Sequence, residues 1–513
     1  MKYSTLTKDI LVLLFAGSVY FSAAVINPDS LNMSKLYGFG SLVLLYFIFR
    51  VNGNTGEREK GRASPNPSEG GGLPPLRGGL GRGLIFKFSN VKRYVLPGML
   101  VLWGLFEAIL GLMQLYGYMP SRHGLFRLTG TFFNPGPYAG FLAVVAPLAL
   151  YYLISIRKTM GYTENTGNVN WMKKFYVPGI QIVCAITLVA IVLVLPAAMS
   201  RAAWLAAIGG IIICVNGCTG ERVKGYTGKE PPLTPPKEGD ALPFGEGRGG
   251  ASHVYTKILV VVLIIAAAAG MYFLKKDSAD GRLLTWKISL QTVVKHPLGV
   301  GLGNFSGAYG DTQAEYFAAG KGSEQEKYVA GNLEYGFNEY LQILVESGIV
   351  SFLLFMAIVF LSVKSLLRFH SGMAGSLVAL LIFAGFSYPF SLWEFLLIFT
   401  FLIEPPLTPP KGENSLPFGE GRGGAFIRFS KILLIAGLGI FLIIKQIPYY
   451  KADSEWKRNG MLYHAGLYKD VIEAYKPLYP YLNDRTAFLF EYGRSLSQME
   501  LYGESDRVLQ RAV

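Results

Sequence analysis

Long runs of apolar residues with almost no charge constrain this chain more than any other feature. Ile10–Ile26, Tyr94–Tyr116, Val177–Leu195 and Ile258–Leu274 each extend for about 17 to 23 residues, the length that an α-helix needs to cross a bilayer. Of the 513 residues only 16% are charged, whereas soluble domains approach a quarter. The apolar excess has to lie in lipid, so the sequence predicts an all-α fold, a polytopic transmembrane helical bundle.

The loops between these runs alternate in charge, which indicates the membrane topology of the chain, that is, which loops lie on which side. This topology is called the threading of the chain below. We predict about eleven membrane helices, two of them short. With a cytoplasmic N-terminus, the basic residues gather in the loops that lie inside. This pattern accounts for the formal net charge of +14 and excludes nucleic acid as the expected partner. The predicted helices lie near residues 10–26, 36–50, 94–116, 134–156, 175–197, 201–215, 256–274, 340–363, 372–388, 391–403 and 430–447.

The same threading assigns a side of the membrane to the longest polar segment and to the tail. For a multi-pass protein of a bacterial inner membrane, it places 275–339 in the periplasm, where Gly, Asn, Tyr and Glu replace the apolar runs. We expect a periplasmic loop subdomain that holds functional residues. The tail is also expected in the periplasm, on the condition that 391–403 crosses the membrane and does not re-enter it.

Two Pro- and Gly-rich sequences occur twice in the chain. EPPLTPPKEGDALPFGEGRGGA at 230–251 returns almost unchanged at 404–425, and NGNTGEREKG at 52–61 returns as NGCTGERVKG at 216–225. They lack the apolar face that structural repeats use for stacking, so we expect disordered insertions in cytoplasmic loops. A PPLTPP ligand for a proline-recognising domain is the alternative.

These patterns divide the chain into membrane, loop and tail segments. The predicted division is 1–50 for N-terminal transmembrane helices, 51–93 for a disordered insertion, 94–403 for the main membrane domain with a disordered insertion at 217–255 and the periplasmic loop at 275–339, 404–429 for a third disordered insertion, 430–447 for the last transmembrane helix and 449–513 for the tail.

Four motifs in the middle of the chain resemble one family. GTFFNPGPYAGFLA at 130–143, SRAAWLA at 200–206, RLLTWKISLQTVVKHPLGVGLGNF at 282–305 and FNEYLQILVESGIVSFLLF at 337–355 are similar, in order and spacing, to the O-antigen ligase and polymerase superfamily. The resemblance implies transfer of a glycan from undecaprenyl diphosphate, without cofactor or metal. The implied acceptor is lipid A-core for a ligase, a growing glycan for a polymerase, or a protein side chain for an O-oligosaccharyltransferase; membrane lipid is a further partner.

The resemblance also implies which side chains bind the donor. A diphosphate leaving group needs its charge neutralised as the glycosidic bond breaks, and Arg offers a fixed, bidentate fork. Arg201 and Arg282 match the family's positions, and Arg127, just before the GTFFNP turn, is a third candidate. A charge at the membrane end of a helix, as expected for Arg201, is costly without a role. Snorkelling to lipid phosphate is the alternative for Arg201, and solvation in a polar loop for the other two.

The chain departs from the family at the position of a proposed base. Ligases of the family carry a His immediately before the Asn of the HNEYLQ-like segment, where this chain has Phe337. An inverting transfer still benefits from a base near the acceptor hydroxyl, so Glu339 and Glu334 are the predicted catalytic substitutes. Capping or favourable dipole placement at a helix N-terminus is the structural alternative.

Three other features are predicted to be structural. GVGLG at 299–303 is expected to form a tight loop against a helix, because no strand precedes it as a nucleotide fingerprint requires. His296 is assigned to the same loop. Asn134 is expected to cap the helix that follows the GTFFNP turn.

The tail changes character after the last membrane helix. Residues 452–513 carry small residues and aromatics at helical spacing and loosely resemble a tetratricopeptide pair. About two such units are marginal alone, so the tail is expected to dock on the membrane domain or on a protein partner.

Two functions from other classes remain open. A transporter or flippase for lipid-linked glycan would also place arginines in a membrane cavity, although it predicts inverted repeats that the sequence lacks. An inactive membrane scaffold is the other alternative, because Phe337 and the insertions both depart from the family. Nothing in the sequence identifies the sugar.

Overall fold

The protein is all-α over the residues that its computed structural model describes, as predicted. These residues are 2–28, 32–53, 96–163 without 122, 124 and 125, 171–226, 276–403 without 332, and 422–511 without 484. In chain order the helices are α1 (Lys2–Phe21, continued by a π turn at Ser22–Ile26), α2 (Met33–Gly53), α3 (Leu96–Leu115), α4 (Pro135–Thr163), α5 (Trp171–Val194), α6 (Arg201–Tyr226), α7 (Lys276–Lys295), α8 (Phe305–Ala318), α9 (Glu324–Val329), α10 (Glu339–Phe369), α11 (Ser371–Ala384), α12 (Trp393–Ile403), α13 (Arg422–His464), α14 (Tyr468–Tyr475), α15 (Tyr479–Leu482), α16 (Thr486–Gln498) and α17 (Tyr502–Gln510).

Several of these helices are long and apolar enough to cross a membrane. Within the described residues five qualify by length and composition, and four shorter apolar helices accompany them. The chain is therefore a multi-pass membrane protein, in agreement with the predicted helical bundle. The helix predicted near 256–274 lies outside the described residues. The five spans are Thr7–Ile26, Leu96–Leu115, Pro135–Ser155, Arg201–Cys218 and Glu339–Arg368.

The core of the bundle is built around α4. Every residue from 137 to 149 is buried, as expected for a helix that is apolar on all sides. Small residues face it from two neighbours, among them Ala203 on α6 and Ala374 on α11, both fully buried. Small side chains let membrane helices approach closely, so dispersion contacts rather than water exclusion stabilise this core.

One end of the bundle, called the site end below, gathers most of the motif residues. The starts of α4 and α10 both meet the turn between α11 and α12, and the π turn after α1 leads to the loop that follows α7. The hydrogen bonds between these segments are Asn134–Tyr388, Glu339–Phe390 and Asn27–Gly299.

The last two helices of the bundle, α12 and α13, run between its two ends. Ile403, at the end of α12, accepts a hydrogen bond of 2.5 Å from Lys8 near the start of α1, at the end opposite the site end. Helix α13 returns alongside α2, where the ring of Tyr449 lies 6.3 Å from that of Tyr37. Helix α13 therefore brings the tail back to the site end. That 391–403 crosses the membrane stays a prediction. Which end faces the periplasm stays a prediction.

Two helices extend beyond their predicted limits. Helix α6 continues past 215 to Tyr226, so the start of the predicted insertion 217–255 is helical. Helix α13 begins at Arg422 and ends at His464, so it includes the end of the predicted insertion 404–429 and the first part of the tail. Both limits were set where hydropathy falls, but an α-helix needs only backbone hydrogen bonds to continue into a polar segment. The rest of the predicted insertions, apart from the last residues of α2, lies outside the described residues.

The segment 275–339, predicted as a loop, consists largely of three helices. Helices α7, α8 and α9 pack around a small core of their own. Leu284 and Ile288, four residues apart on α7, supply its centre together with the stacked rings of Phe305 and Tyr309. The polar average of the segment hides this amphipathic spacing, which is why the sequence suggested a loop.

The tail forms a compact helical unit at the end of α13. Val471, Tyr475, Phe488 and Leu496 are fully buried in its core. Glu491 accepts hydrogen bonds from the indole of Trp456 and the hydroxyl of Tyr475, both at 2.8 Å. The resemblance to tetratricopeptide repeats stays a prediction.

Candidate functional site

The GTFF turn at the site end is held by a buried carboxylate of α3. Glu107 is fully buried, and its oxygens accept from the backbone N–H of Thr131 at 3.0 Å, from the hydroxyl of the same residue and from the indole of Trp103 at 3.3 Å. Sequence reasoning missed Glu107. The signal was present, because an ionisable residue within an otherwise apolar span needs a specific partner.

A second polar side chain of α3 fixes the same turn. The amide oxygen of Gln114 accepts from the backbone N–H groups of Thr129 and Gly130, and its nitrogen donates to the carbonyl of Gly130. Gly130 has φ +57°, and a Cβ there would lie 2.3 Å from the ring of Tyr138. Only glycine fits this position, so α3 and α4 together determine where Asn134 emerges.

Asn134 leads into an aromatic cluster at the site end. Its side-chain nitrogen donates to the hydroxyl of Tyr388 at 2.8 Å, an interaction that the predicted capping role did not include. The ring of Tyr388 lies parallel to that of Tyr335, with centroids 4.6 Å apart, and edge-on to Phe337 at 5.5 Å. Two motifs and the turn between α11 and α12, all distant in sequence, therefore meet here.

Arg282 lies next to this cluster, and Arg201 is near enough for its charge to act on Arg282. The guanidinium carbon of Arg282, on α7, lies 5.8 Å from the ring centroid of Phe337. Burial lowers the pKa of Arg282, and the positive charge of Arg201, the first residue of α6, lowers it further. Arg282 is thus on a helix and not in the predicted loop. Two half-buried like charges in proximity are stabilised by an anion.

Trp286 lies one turn along α7 from Arg282. Its ring is 6.2 Å from that of Phe386, in the same turn as Tyr388. Its indole nitrogen is buried and has no hydrogen-bond partner among the described residues. A buried donor without a partner is costly, so this N–H is available to an acceptor atom of a substrate.

Glu339, predicted as a catalytic base, is buried and accepts a hydrogen bond from the backbone. Only 3% of its surface is exposed, and one carboxylate oxygen accepts from the N–H of Phe390 at 2.6 Å. The N–H of Ser391, in the same turn, donates to the carbonyl of Tyr388 at 3.2 Å. These contacts fix the turn that carries Tyr388, which makes Glu339 a positioning residue.

Glu334, the other predicted base, is 61% exposed at the rim of the cluster. It accepts from the hydroxyl of Tyr335 at 3.0 Å and lies 3.4 Å from a guanidinium nitrogen of Arg485 in the tail. Burial raises the pKa of Tyr335, and the charge of Glu334 raises it further, so the tyrosine keeps the proton that it donates. Glu334 is the predicted carboxylate that an incoming hydroxyl can approach.

Two other sequence candidates lie outside this cluster. Arg127 is exposed in the segment before α4. His296 is exposed in the turn after α7, where its carbonyl accepts from the backbone N–H of Gly299.

The GVGLG loop packs tightly against the start of α10. The N–H groups of Val300 and Gly301 donate to the carbonyls of Val345 and Glu346 at 2.9 Å. Gly299 has φ +90°, and a Cβ there would lie 2.6 Å from the carbonyl oxygen of Glu346. The loop therefore supports α10, which carries Glu339, in line with the structural interpretation.

The described residues hold no group of three or more His, Cys, Asp or Glu that could bind a metal ion. The chemistry of the cluster comes from two cations, tyrosine hydroxyls, an indole N–H and one exposed carboxylate.

Comparison with known proteins gives one match. The O-antigen ligase family model matches residues 186–356, a span that includes Arg201, Arg282 and the segment from Glu334 to Glu339. No curated protein and no solved structure matches the chain.

Proposed function

For a membrane protein that carries an O-antigen ligase domain over residues 186–356, we propose transfer of a glycan from undecaprenyl diphosphate to an acceptor hydroxyl at the site end. The domain indicates a ligase- or polymerase-type membrane enzyme. The observation that carries the finer proposal is the half-buried guanidinium of Arg282, which lies 5.8 Å from the ring of Phe337 and within the electrostatic influence of Arg201. A diphosphate is an anion that this pair fits.

In this proposal the two arginines act on the leaving group. The acceptor oxygen forms a bond to the anomeric carbon, the bond from that carbon to the diphosphate oxygen breaks, and undecaprenyl diphosphate leaves with the electron pair. Positive charge already in place where negative charge develops lowers the barrier without reorganisation. The N–H of Trp286 is a further donor to the phosphates or to the first sugar.

We propose Glu334 as the group that accepts the proton of the acceptor hydroxyl. It is exposed, whereas Glu339 is buried and accepts a hydrogen bond from the backbone N–H of Phe390. Phe337 stands where ligases of the family carry His, and its ring lies against Arg282. The general base is therefore moved by three residues along the same segment.

We also propose that the site end faces the periplasm of a bacterial inner membrane. The inside loops of the threading carry the excess of Lys and Arg, and the described helix ends fit the same alternation. Arg127, at the site end, is proposed to attract the anionic headgroup on approach rather than to contact it during transfer.

The proposal is tested in the native host by deleting the gene and analysing two glycan pools. One is surface glycan separated by gel, and the other is glycan linked to undecaprenyl diphosphate. Complementation uses the wild-type gene, Glu334→Gln and Glu339→Gln.

Accumulation of long lipid-linked glycan in the deletion strain would identify a ligase or an O-oligosaccharyltransferase, and accumulation of single repeat units a polymerase. We expect Glu334→Gln to complement poorly through slow transfer, and Glu339→Gln through low protein abundance. Unchanged surface and lipid-linked glycan in the deletion strain would contradict the proposal.

A further inference from the structure

The tail reaches the candidate site through one charged pair. Nη1 of Arg485 lies 3.4 Å from Oε1 of Glu334, although the two residues are far apart in sequence. Arg485 directly precedes α16, so the tail contributes a side chain to the rim of the site.

The pair continues into the aromatic cluster. The carboxylate oxygen that faces Arg485 also accepts from the hydroxyl of Tyr335, whose ring lies flat against Tyr388. Tyr388 in turn accepts from Asn134. An unbroken set of contacts therefore leads from the tail to the GTFFNP turn.

The tail does not depend on this pair to stay in place. Helix α13 runs without a break from the bundle into the tail, and Tyr449 on it contacts both Tyr37 of α2 and Tyr481 of α15. An ion pair as exposed as Arg485 and Glu334 adds little to stability. Its effect is on the direction of the Glu334 carboxylate.

We propose that Arg485 is a positioning residue of the acceptor side, which holds Glu334 and Tyr335 in place for the incoming hydroxyl. The inference rests on the proposed transfer function and names the tail as part of its site. The acceptor then binds between the tail and the segment that precedes α10.

The first experiment tests the contact without using activity. Glu334→Cys and Arg485→Cys are combined in the full chain, and a protease site is placed within 404–421. Host membranes are then treated with a short bis-maleimide cross-linker that reduction cleaves, because the contact joins the tips of two long side chains and exceeds the reach of a direct disulfide. The native cysteines at 184, 214 and 218 are buried. We expect the cleaved halves to stay joined until reduction. The matched control combines Glu334→Cys with Arg494→Cys, because Arg494 faces Tyr463 instead, and its halves should separate.

The second experiment measures the initial rate of transfer in host membranes that contain their own lipid-linked glycan. We expect Arg485→Ala to lower the rate about two- to five-fold, the range for losing one exposed ion pair. Arg485→Lys should recover the rate because it keeps the charge. Arg494→Ala should match the wild type, and all variants should share its thermal unfolding midpoint.

Halves that separate without reduction, or a wild-type rate for Arg485→Ala, would overturn the inference. A cross-link that forms together with a slow Arg485→Ala and a recovered Arg485→Lys supports it. Failure of the proposed function appears differently, as unchanged glycan in the deletion strain while the cross-link still forms.

Discussion

Arg282 experiences opposing influences from its neighbours. The ring of Phe337 offers its negative face to the guanidinium, while Arg201 repels it. An anion bound here would reduce the repulsion and keep the ring contact, which is the physical basis of the proposed diphosphate site. The polar residues around the pair serve to hold the rings and turns that form its walls.

Two substitutions distinguish the contribution of the Tyr388 hydroxyl from that of its ring. Tyr388→Phe keeps the contacts with Tyr335 and Phe337 but leaves the Asn134 amide without its acceptor. We expect a loss of about 0.5–1.5 kcal/mol in the free energy of unfolding and a several-fold slower transfer. Tyr388→Ala should cost more in both. Equal effects of the two variants, measured by thermal unfolding and by transfer rate, would mean that the ring contributes nothing.

Glu107 provides a test of the GTFF turn. Glu107→Leu is expected to destabilise the protein by about 1–3 kcal/mol, because the backbone N–H of Thr131 loses its acceptor. Glu107→Gln keeps one oxygen and serves as the control. The measurement is the thermal unfolding midpoint in detergent. A midpoint for Glu107→Leu equal to that of Glu107→Gln would show that the turn is held by other contacts.

For single residues, the motifs of the sequence singled out the two arginines and Phe337 as candidates, but not the residues that surround them. Tyr388 belongs to no motif, and its contacts are with residues far away in the chain. Glu339 and Glu334 have similar sequence surroundings, yet one is buried and the other exposed. Burial depends on tertiary packing, which one sequence does not reveal.

Helices α7, α8 and α9 form an element in their own right, joined by a network of charged groups. Lys287 lies 2.7 Å from Glu326 and donates to the hydroxyl of Tyr316. The hydrogen bond from Lys287, and that from the backbone of Ser323, lower the pKa of Glu326 from 4.5 to about 2. The stability of this three-helix element therefore depends on pH through the carboxylate of Glu326.

Because the folded state lowers this pKa, the contribution of Glu326 to stability is present above pH 4.5 and is lost as the pH falls toward 2. We expect wild type to exceed Glu326→Gln in thermal midpoint at pH 6, with the difference shrinking at pH 3. The comparison between the two variants cancels other titrating groups. A difference that stays constant with pH would contradict the ionic role.

The sequence located the membrane helices but misplaced the ends of several helices. Hydropathy located the membrane helices well, because lipid imposes a minimum length of apolar chain. It placed the ends of α6 and α13 too early and read α7 as a loop, since a helix can leave the membrane or lie outside it with a polar average.

For the molecule as a whole, the two ends of the bundle have different roles. The site end holds most of the motif residues and the tail, whereas α12 ends at the other end, at Ile403. We therefore do not expect the repeated sequence that follows Ile403 to act in the proposed chemistry.

Replacement of 404–421 by a short Gly-Ser linker should leave protein abundance and glycan transfer unchanged. The contrasting variant replaces 386–391, the turn that carries Tyr388, and should abolish transfer. Abundance is measured by immunoblot of membranes and transfer by surface glycan. A well-expressed 404–421 variant without transfer would show that the segment has a function.

The most direct test of the central claim compares Arg201→Ala, Arg282→Ala and the double variant in the deletion strain. Each single variant is expected to lower the transfer rate on the order of 10²–10³-fold, as for loss of one group that stabilises a developing anion. The double variant should fall less than the product of the two, because both cations act on the same diphosphate. Rates that stay near wild type in well-expressed single variants would contradict a diphosphate site at this pair.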